Sequence, residues 1–178
     1  MSFVASRRLV IAAALSLLPL AALAHGPSRQ KVVEKIEIDA PVAKVWEIVG
    51  NFQDLSWHPA VAKTEGTGGS AVGAKRTVTF KKGGSVDESV TKYDADNHTL
   101  SYKIDKDEPS VVPVANYSST INVKEEGGKS VVEWKGAFYR GFLNNDPPPE
   151  LTDEAAIKAI TDFYQTGLAA LKAKAESK

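Results

Sequence analysis

The chain contains no cysteine. That absence removes a disulfide framework, thiolate zinc and iron–sulfur sites, and any cysteine nucleophile. Charge of one sign is missing as well: 22 Lys and Arg stand against 22 Asp and Glu. A nucleic-acid binder needs a basic surface to displace counterions, so no nucleic-acid partner is expected. Only three histidines occur, His25, His58 and His98, and their spacing fits no metal-ligand pattern. No nucleophile motif or phosphate loop is present either, so no catalytic residue, metal or cofactor is assigned. With 43% hydrophobic and 25% charged residues, disordered, coiled-coil and collagen-like classes are set aside. The 178 residues fit one domain.

What is present begins with an export signal. Arg7-Arg8 precede an almost wholly apolar run from Leu9 to Ala22, and Ala22-Leu23-Ala24 gives the small-x-small cleavage pattern. The run is short for a membrane span of about 20 residues, and Pro19 interrupts it, so no stable membrane anchor is expected. Residues 1–24 are therefore read as a bacterial signal peptide and 25–178 as a single domain in the periplasm. Its removal takes two basic residues away and leaves that domain weakly acidic.

Beyond a polar leader, the run from Val32 alternates as a strand, and Pro41–Val49 follows as a short amphipathic helix with Val42, Val45, Trp46 and Val49 on one side. Gly50-Asn51 ends it. Six strands are expected next: Val61–Glu65, Ala74–Lys81, Ser85–Tyr93, Thr99–Asp105, Ala115–Glu125 and Ser130–Arg140. The breaks between them are short and rich in Gly, Asp and Asn. Connections that short require antiparallel neighbours. After Pro147-Pro148-Pro149, Thr152 is the expected cap of a long helix whose stripe is Ala156, Ile160, Phe163, Tyr164, Gly167, Leu168 and Leu171. The fold class is α+β, a curved antiparallel sheet wrapped around the long C-terminal helix.

Strand parity assigns the side chains that face this helix. Arg76, Phe80, Glu88, Tyr102, Tyr117, Trp134 and Phe138 fall on that face, with Phe163 and Gly167 opposite them, and these nine are the expected lining of a partly polar cavity. Two ionisable groups on one inward face need partners. Parity with a Val78–Glu88 pairing makes Arg76 and Glu88 diagonal neighbours, either an ion pair at a wet sheet end or a ligand anchor. His58, in Trp57-His58-Pro59, reads either as a polar terminator of a helical turn or as a pH-sensitive group at the cavity mouth. Trp57, His58, Tyr139 and Phe142 are expected at a rim, beside the acidic segment Asp105–Glu108, as a surface for docking a partner.

The segment EKIEIDAPVAKVWEIVGNFQDLSWHPAV (34–61) resembles the opening of the START-like, polyketide cyclase/dehydrase (SRPBCC) superfamily of helix-grip domains. The segments PVANYSSTINV (113–123), VEWKGAFYRG (132–141) and PPPELTDEAAIKAITDFYQTGLAAL (147–171) are similar to the small exported proteins of bacterial methanol-oxidation gene clusters. That resemblance implies a helix-grip fold and a non-enzymatic accessory role, with a periplasmic quinoprotein dehydrogenase (methanol dehydrogenase) and its cytochrome c as partners. The quinone and the metal would belong to the dehydrogenase. The superfamily also holds cyclases and lipid carriers, so carriage of a hydrophobic or amphipathic small molecule is the alternative, and a cyclase- or hydrolase-like enzyme a third possibility.

Overall fold

In the computed structural model the described residues are 26–177; the signal-peptide reading of residues 1–24 and His25 lie outside them. Seven strands form one antiparallel sheet. β1 (Gln30–Ile38) precedes the short helix α1 (Val42–Val49). β2 (Val61–Thr67), β3 (Lys75–Phe80), β4 (Ser85–Asp94), β5 (Thr99–Ile104), β6 (Val114–Glu126) and β7 (Lys129–Arg140) then run as a meander. β1 returns beside β7, giving the order β1-β7-β6-β5-β4-β3-β2. After a 3-10 turn at Pro149–Leu151, the long helix α2 (Asp153–Glu176) lies across the concave face.

The local chemistry explains both helix starts. Pro41 stands at the cap position, one residue earlier than its spacing implies, and its carbonyl accepts from Lys44 and Val45 N–H at 3.0 and 3.2 Å. Thr152 caps α2, its Oγ1 accepting from Ala155 N–H at 3.2 Å. Asp153 and Glu154 in the first turn and Lys174 in the last suit the helix dipole. The buried stripe of α2 is Ala156, Ile160, Tyr164, Gly167, Leu168, Leu171 and Ala175.

Three irregularities bend the sheet around that stripe. Register shifts occur between Val61 and Lys63 in β2, between Val90 and Lys92 in β4, and between Ala115 and Ser118 in β6. Each adds a residue to one strand and increases its local twist. The β6 bulge carries Asn116 at φ 52°, its N–H held by Asp107 Oδ1 at 2.8 Å.

One register differs from the sequence expectation. Arg76 lies directly opposite Glu88, and Val78 opposite Val86. Phe80 N–H bonds to the Gly84 carbonyl at 3.0 Å, so the turn closes earlier than the spacing implied, and Glu88 moves two residues along its partner strand. The diagonal pair becomes a direct one. Among the described residues no helix is long and apolar enough to cross a membrane.

Candidate functional site

The grip is incomplete at one end. Leu171 and Ala175 of α2 belong to the buried core that also holds Ile38, Val45, Val123 and Val132. Towards the N-terminal half of α2 a cavity of about 470 Å³ separates helix from sheet, within the ~300–1,000 Å³ typical of small-molecule sites. Its walls are Val78, Phe80, Val86 and Ile104 from the sheet and Ile160 and Phe163 from the helix. Buried Leu55, Glu88, Tyr102 and Tyr117 close its inner end. The exposed β3–β4 turn, Lys81-Lys82, and the half-buried Val112-Pro113 flank its opening.

Of the nine residues expected to line this space, Phe80, Glu88, Tyr102, Tyr117 and Phe163 do so. Arg76, Trp134, Phe138 and Gly167 do not, each for a packing reason. Arg76 lies behind Glu88: Nε donates to Glu88 Oε2 at 2.7 Å and Nη1 to the Phe52 carbonyl at 2.7 Å. Its guanidinium rests 4.3 Å from the Phe52 ring centroid and 5.1 Å from that of Tyr102. Trp134 is sealed beneath Tyr164, ring centroids 4.4 Å apart, and Phe138 is fully buried against Tyr117. Gly167 faces the His58 and Trp134 rings rather than open space.

The rim expectation is corrected at two positions. Trp57 is 8% exposed and His58 1%, so neither offers a surface to a protein partner. The turn before β2 folds both rings inward, where His58 stacks on Phe163 with centroids 3.9 Å apart. His58 instead contributes to the cavity wall. Tyr139 and Phe142 are half-buried and do not reach the cavity. Tyr139 lies on the outer side of β7 under Arg29, whose guanidinium is 5.5 Å from the ring centroid. His98, at the turn before β5, packs edge-on against Trp46 at 5.5 Å.

His58 is chemically committed. Nδ1 accepts from Ala60 N–H at 3.1 Å, which leaves Nε2 protonated and donating to the Phe163 carbonyl at 2.8 Å. Burial holds its pKa below the usual imidazole value. A neutral ring with both nitrogens occupied has neither a proton to give nor a lone pair to offer in the cavity.

Behind the inner end, hydroxyls form a chain anchored where Ser119 Oγ donates to the Lys135 carbonyl at 3.0 Å. Tyr117 and Tyr164 hydroxyls are 2.6 Å apart, Tyr164 and Ser119 3.0 Å. Trp134 Nε1 donates to Ser119 Oγ at 2.9 Å and to the Tyr102 hydroxyl at 3.2 Å. Burial pushes the Tyr117 and Tyr164 phenols well above their ordinary pKa, so these tyrosines serve as neutral hydroxyls. Glu88 is pushed up by burial too, against the opposing pull of Arg76. One carboxylate oxygen binds Arg76; the other takes no hydrogen bond among the described residues, on a side chain that lines the cavity. Parity located Glu88, but nothing in the sequence marked Lys81 and Lys82, whose place at the opening depends on how far the turn projects. Among the described residues no group of three His, Cys, Asp or Glu is placed to hold a metal ion.

The family model for polyketide cyclase / dehydrase and lipid transport proteins matches residues 29–176. Among solved structures, the XoxI protein of Bacillus cereus is 30% identical, with TM-score 0.68, covering 82% of this chain and 94% of that one. An uncharacterised protein of Bacillus thuringiensis is 29% identical, with TM-score 0.69, over 83% of this chain and all of its own. Norcoclaurine synthase from Thalictrum flavum, at 18% identity and TM-score 0.65 over 86% of this chain and 98% of its own, shares the fold. No curated protein matches.

Proposed function

The chain belongs to the polyketide cyclase / dehydrase and lipid transport family, and within it we propose an exported, non-enzymatic accessory protein of a periplasmic methanol-oxidation-type redox system. In this reading it supports the encounter of methanol dehydrogenase with its cytochrome c. The observation that carries it is sequence likeness: 30% identity to XoxI over most of both chains. Beside it stands the similarity of residues 113–123, 132–141 and 147–171 to exported proteins of methanol-oxidation clusters.

The chemistry of the cavity favours holding over reacting. A cyclase or hydrolase here would need an acid–base pair within reach of a bound molecule. His58 has both nitrogens engaged, Arg76 is withdrawn behind Glu88, the Tyr117 and Tyr164 hydroxyls bond to each other, and the Tyr102 hydroxyl accepts from Trp134 Nε1. The tagged protein, incubated with periplasmic extract of its own host, should retain a quinoprotein dehydrogenase or a c-type cytochrome. It should also raise the rate of methanol-dependent cytochrome reduction in the reconstituted pair. Capture of neither protein, with an unchanged reduction rate, would remove this reading.

The cavity itself supports a second reading, carriage of an amphipathic small molecule. About 470 Å³ bounded mainly by aliphatic and aromatic side chains is space that a packed core would fill. Native mass spectrometry of protein from the host should then show a mass above that of the polypeptide, lost on denaturation.

A further inference from the structure

The two ends of the cavity differ in charge, and that difference selects a ligand. At the opening stand Lys81 and Lys82, which form no ion pair among the described residues, while Asp162 beside them is engaged by Lys158. The turn is held in place: the Lys81 N–H bonds the Ala60 carbonyl at 2.9 Å, and Gly84 abuts the Val111 side chain. At the inner end stands Glu88, 6% exposed, whose Oε2 is bonded to Arg76 and whose Oε1 is left without a donor. Oε1 is not among the sealed, unpartnered atoms and is reached from the cavity, and an acceptor there gains from a hydrogen-bond donor and loses against a methyl group. Four residues of strand separate Gly84 from Glu88, about 13 Å, and the wall between is Val78, Val86, Ile104 and Phe163.

Building on the carrier reading, we infer that the ligand is an elongated monoanion with a carboxylate head, an apolar body and a hydroxyl at its far end. The carboxylate rests at Lys81 and Lys82, the body lies along the strand wall, and the hydroxyl donates to Glu88 Oε1. The cavity volume equals that of about fifteen waters, enough for a medium-length chain or one fused ring system.

The test uses 10-hydroxydecanoate, decanoate and methyl 10-hydroxydecanoate, titrated calorimetrically into the purified protein, with neutral N-phenyl-1-naphthylamine as a fluorescent reporter of the cavity. The hydroxy acid should bind at least several-fold tighter than decanoate, since it alone supplies a donor to the carboxyl oxygen of Glu88. The double variant K81A/K82A, altered only at exposed positions, should weaken the hydroxy acid several-fold, leave the methyl ester unchanged and lessen the salt dependence of binding. If the reporter binds and is displaced equally by all three compounds, the polarity assigned here is wrong while a cavity ligand remains supported. If neither reporter nor acids bind, the carrier reading falls with it. An unaltered affinity in K81A/K82A would overturn the placement of the carboxylate.

Discussion

Gly167→Ala sets two measurable effects against each other. Gly167 is buried in the middle of α2, where alanine should gain about 1 kcal/mol in helix propensity. A Cβ there would lie 2.5 Å from His58 Cδ2, 2.8 Å from His58 Nε2 and 2.8 Å from Trp134 Cζ3. Neither neighbour is a yielding side-chain tip. Trp134 is fully buried and stacked on Tyr164, while His58 is pinned through both ring nitrogens. Overpacking of this kind costs about 1–3 kcal/mol, and displacing the imidazole from the Phe163 carbonyl adds about 0.5–1.5 kcal/mol. The clash wins, with a net loss of about 2 kcal/mol, or about 4–8 °C in Tm for a domain of this size. Urea and thermal unfolding followed by circular dichroism would measure it. Ala169→Gly, at an exposed position two residues on, calibrates the propensity effect at about 1 kcal/mol in the destabilising direction. A Tm for Gly167→Ala equal to or above that of the parent would show that the rings give way freely, and the reasoning would fail.

Other outcomes follow from the buried polar groups. Tyr164→Phe removes the hydroxyl between Tyr117 and Ser119 and should cost about 1–3 kcal/mol in urea unfolding, because Tyr117 is left buried without its partner. Arg76→Met should cost about 3–5 kcal/mol by uncovering the Glu88 carboxylate, whereas R76M/E88L should recover most of that loss; equal stability of the single and double variants would contradict the pairing. In Arg76→Met the burial that raises Glu88 acts unopposed. A raised carboxyl pKa contributes stability below the unfolded value of about 4.3 and loses it as pH rises through the folded value. The penalty of this variant should therefore shrink as pH falls from 7 to 4. His58 has the opposite sense: its pKa is lowered, so its contribution is present above about 6.5 and lost as pH falls below that. Between pH 7.5 and 5.5 the parent protein should lose more stability than His58→Gln, and the reverse order would exclude a buried neutral imidazole.

The sequence disclosed faces more readily than depths. Alternation in β3 to β7 placed Arg76, Phe80, Glu88, Tyr102, Tyr117, Trp134 and Phe138 on the inner side, because a half-buried strand has a side-chain period of two. Parity carries no information about how far along a strand the helix reaches. Arg76, Glu88, Trp134 and Phe138 therefore looked equivalent, although only Glu88 meets the cavity. The Val78–Glu88 pairing missed by two residues, since register depends on where the turn closes, and the Phe80–Gly84 bond decides that. Trp57 and His58 read as rim residues because they precede a proline in an irregular segment. Both rings instead turn inward, Trp57 beside Trp134 and His58 completing the core where α2 carries no side chain, at Gly167. That contact joins positions more than a hundred residues apart, and neither segment alone signals it.

The bulges in β2, β4 and β6 carry a consequence for how this architecture diversifies. A substitution in the wall alters the chamber by the size of one side chain, but loss of the extra residue at a bulge restores flat pairing and relaxes the bend that wraps a whole strand around α2. Insertions and deletions at Val61–Lys63, Val90–Lys92 and Ala115–Ser118 are therefore the coarse control of chamber size, and side chains the fine one. Two relatives with the same wall residues can enclose different volumes when their strands differ by one residue in length.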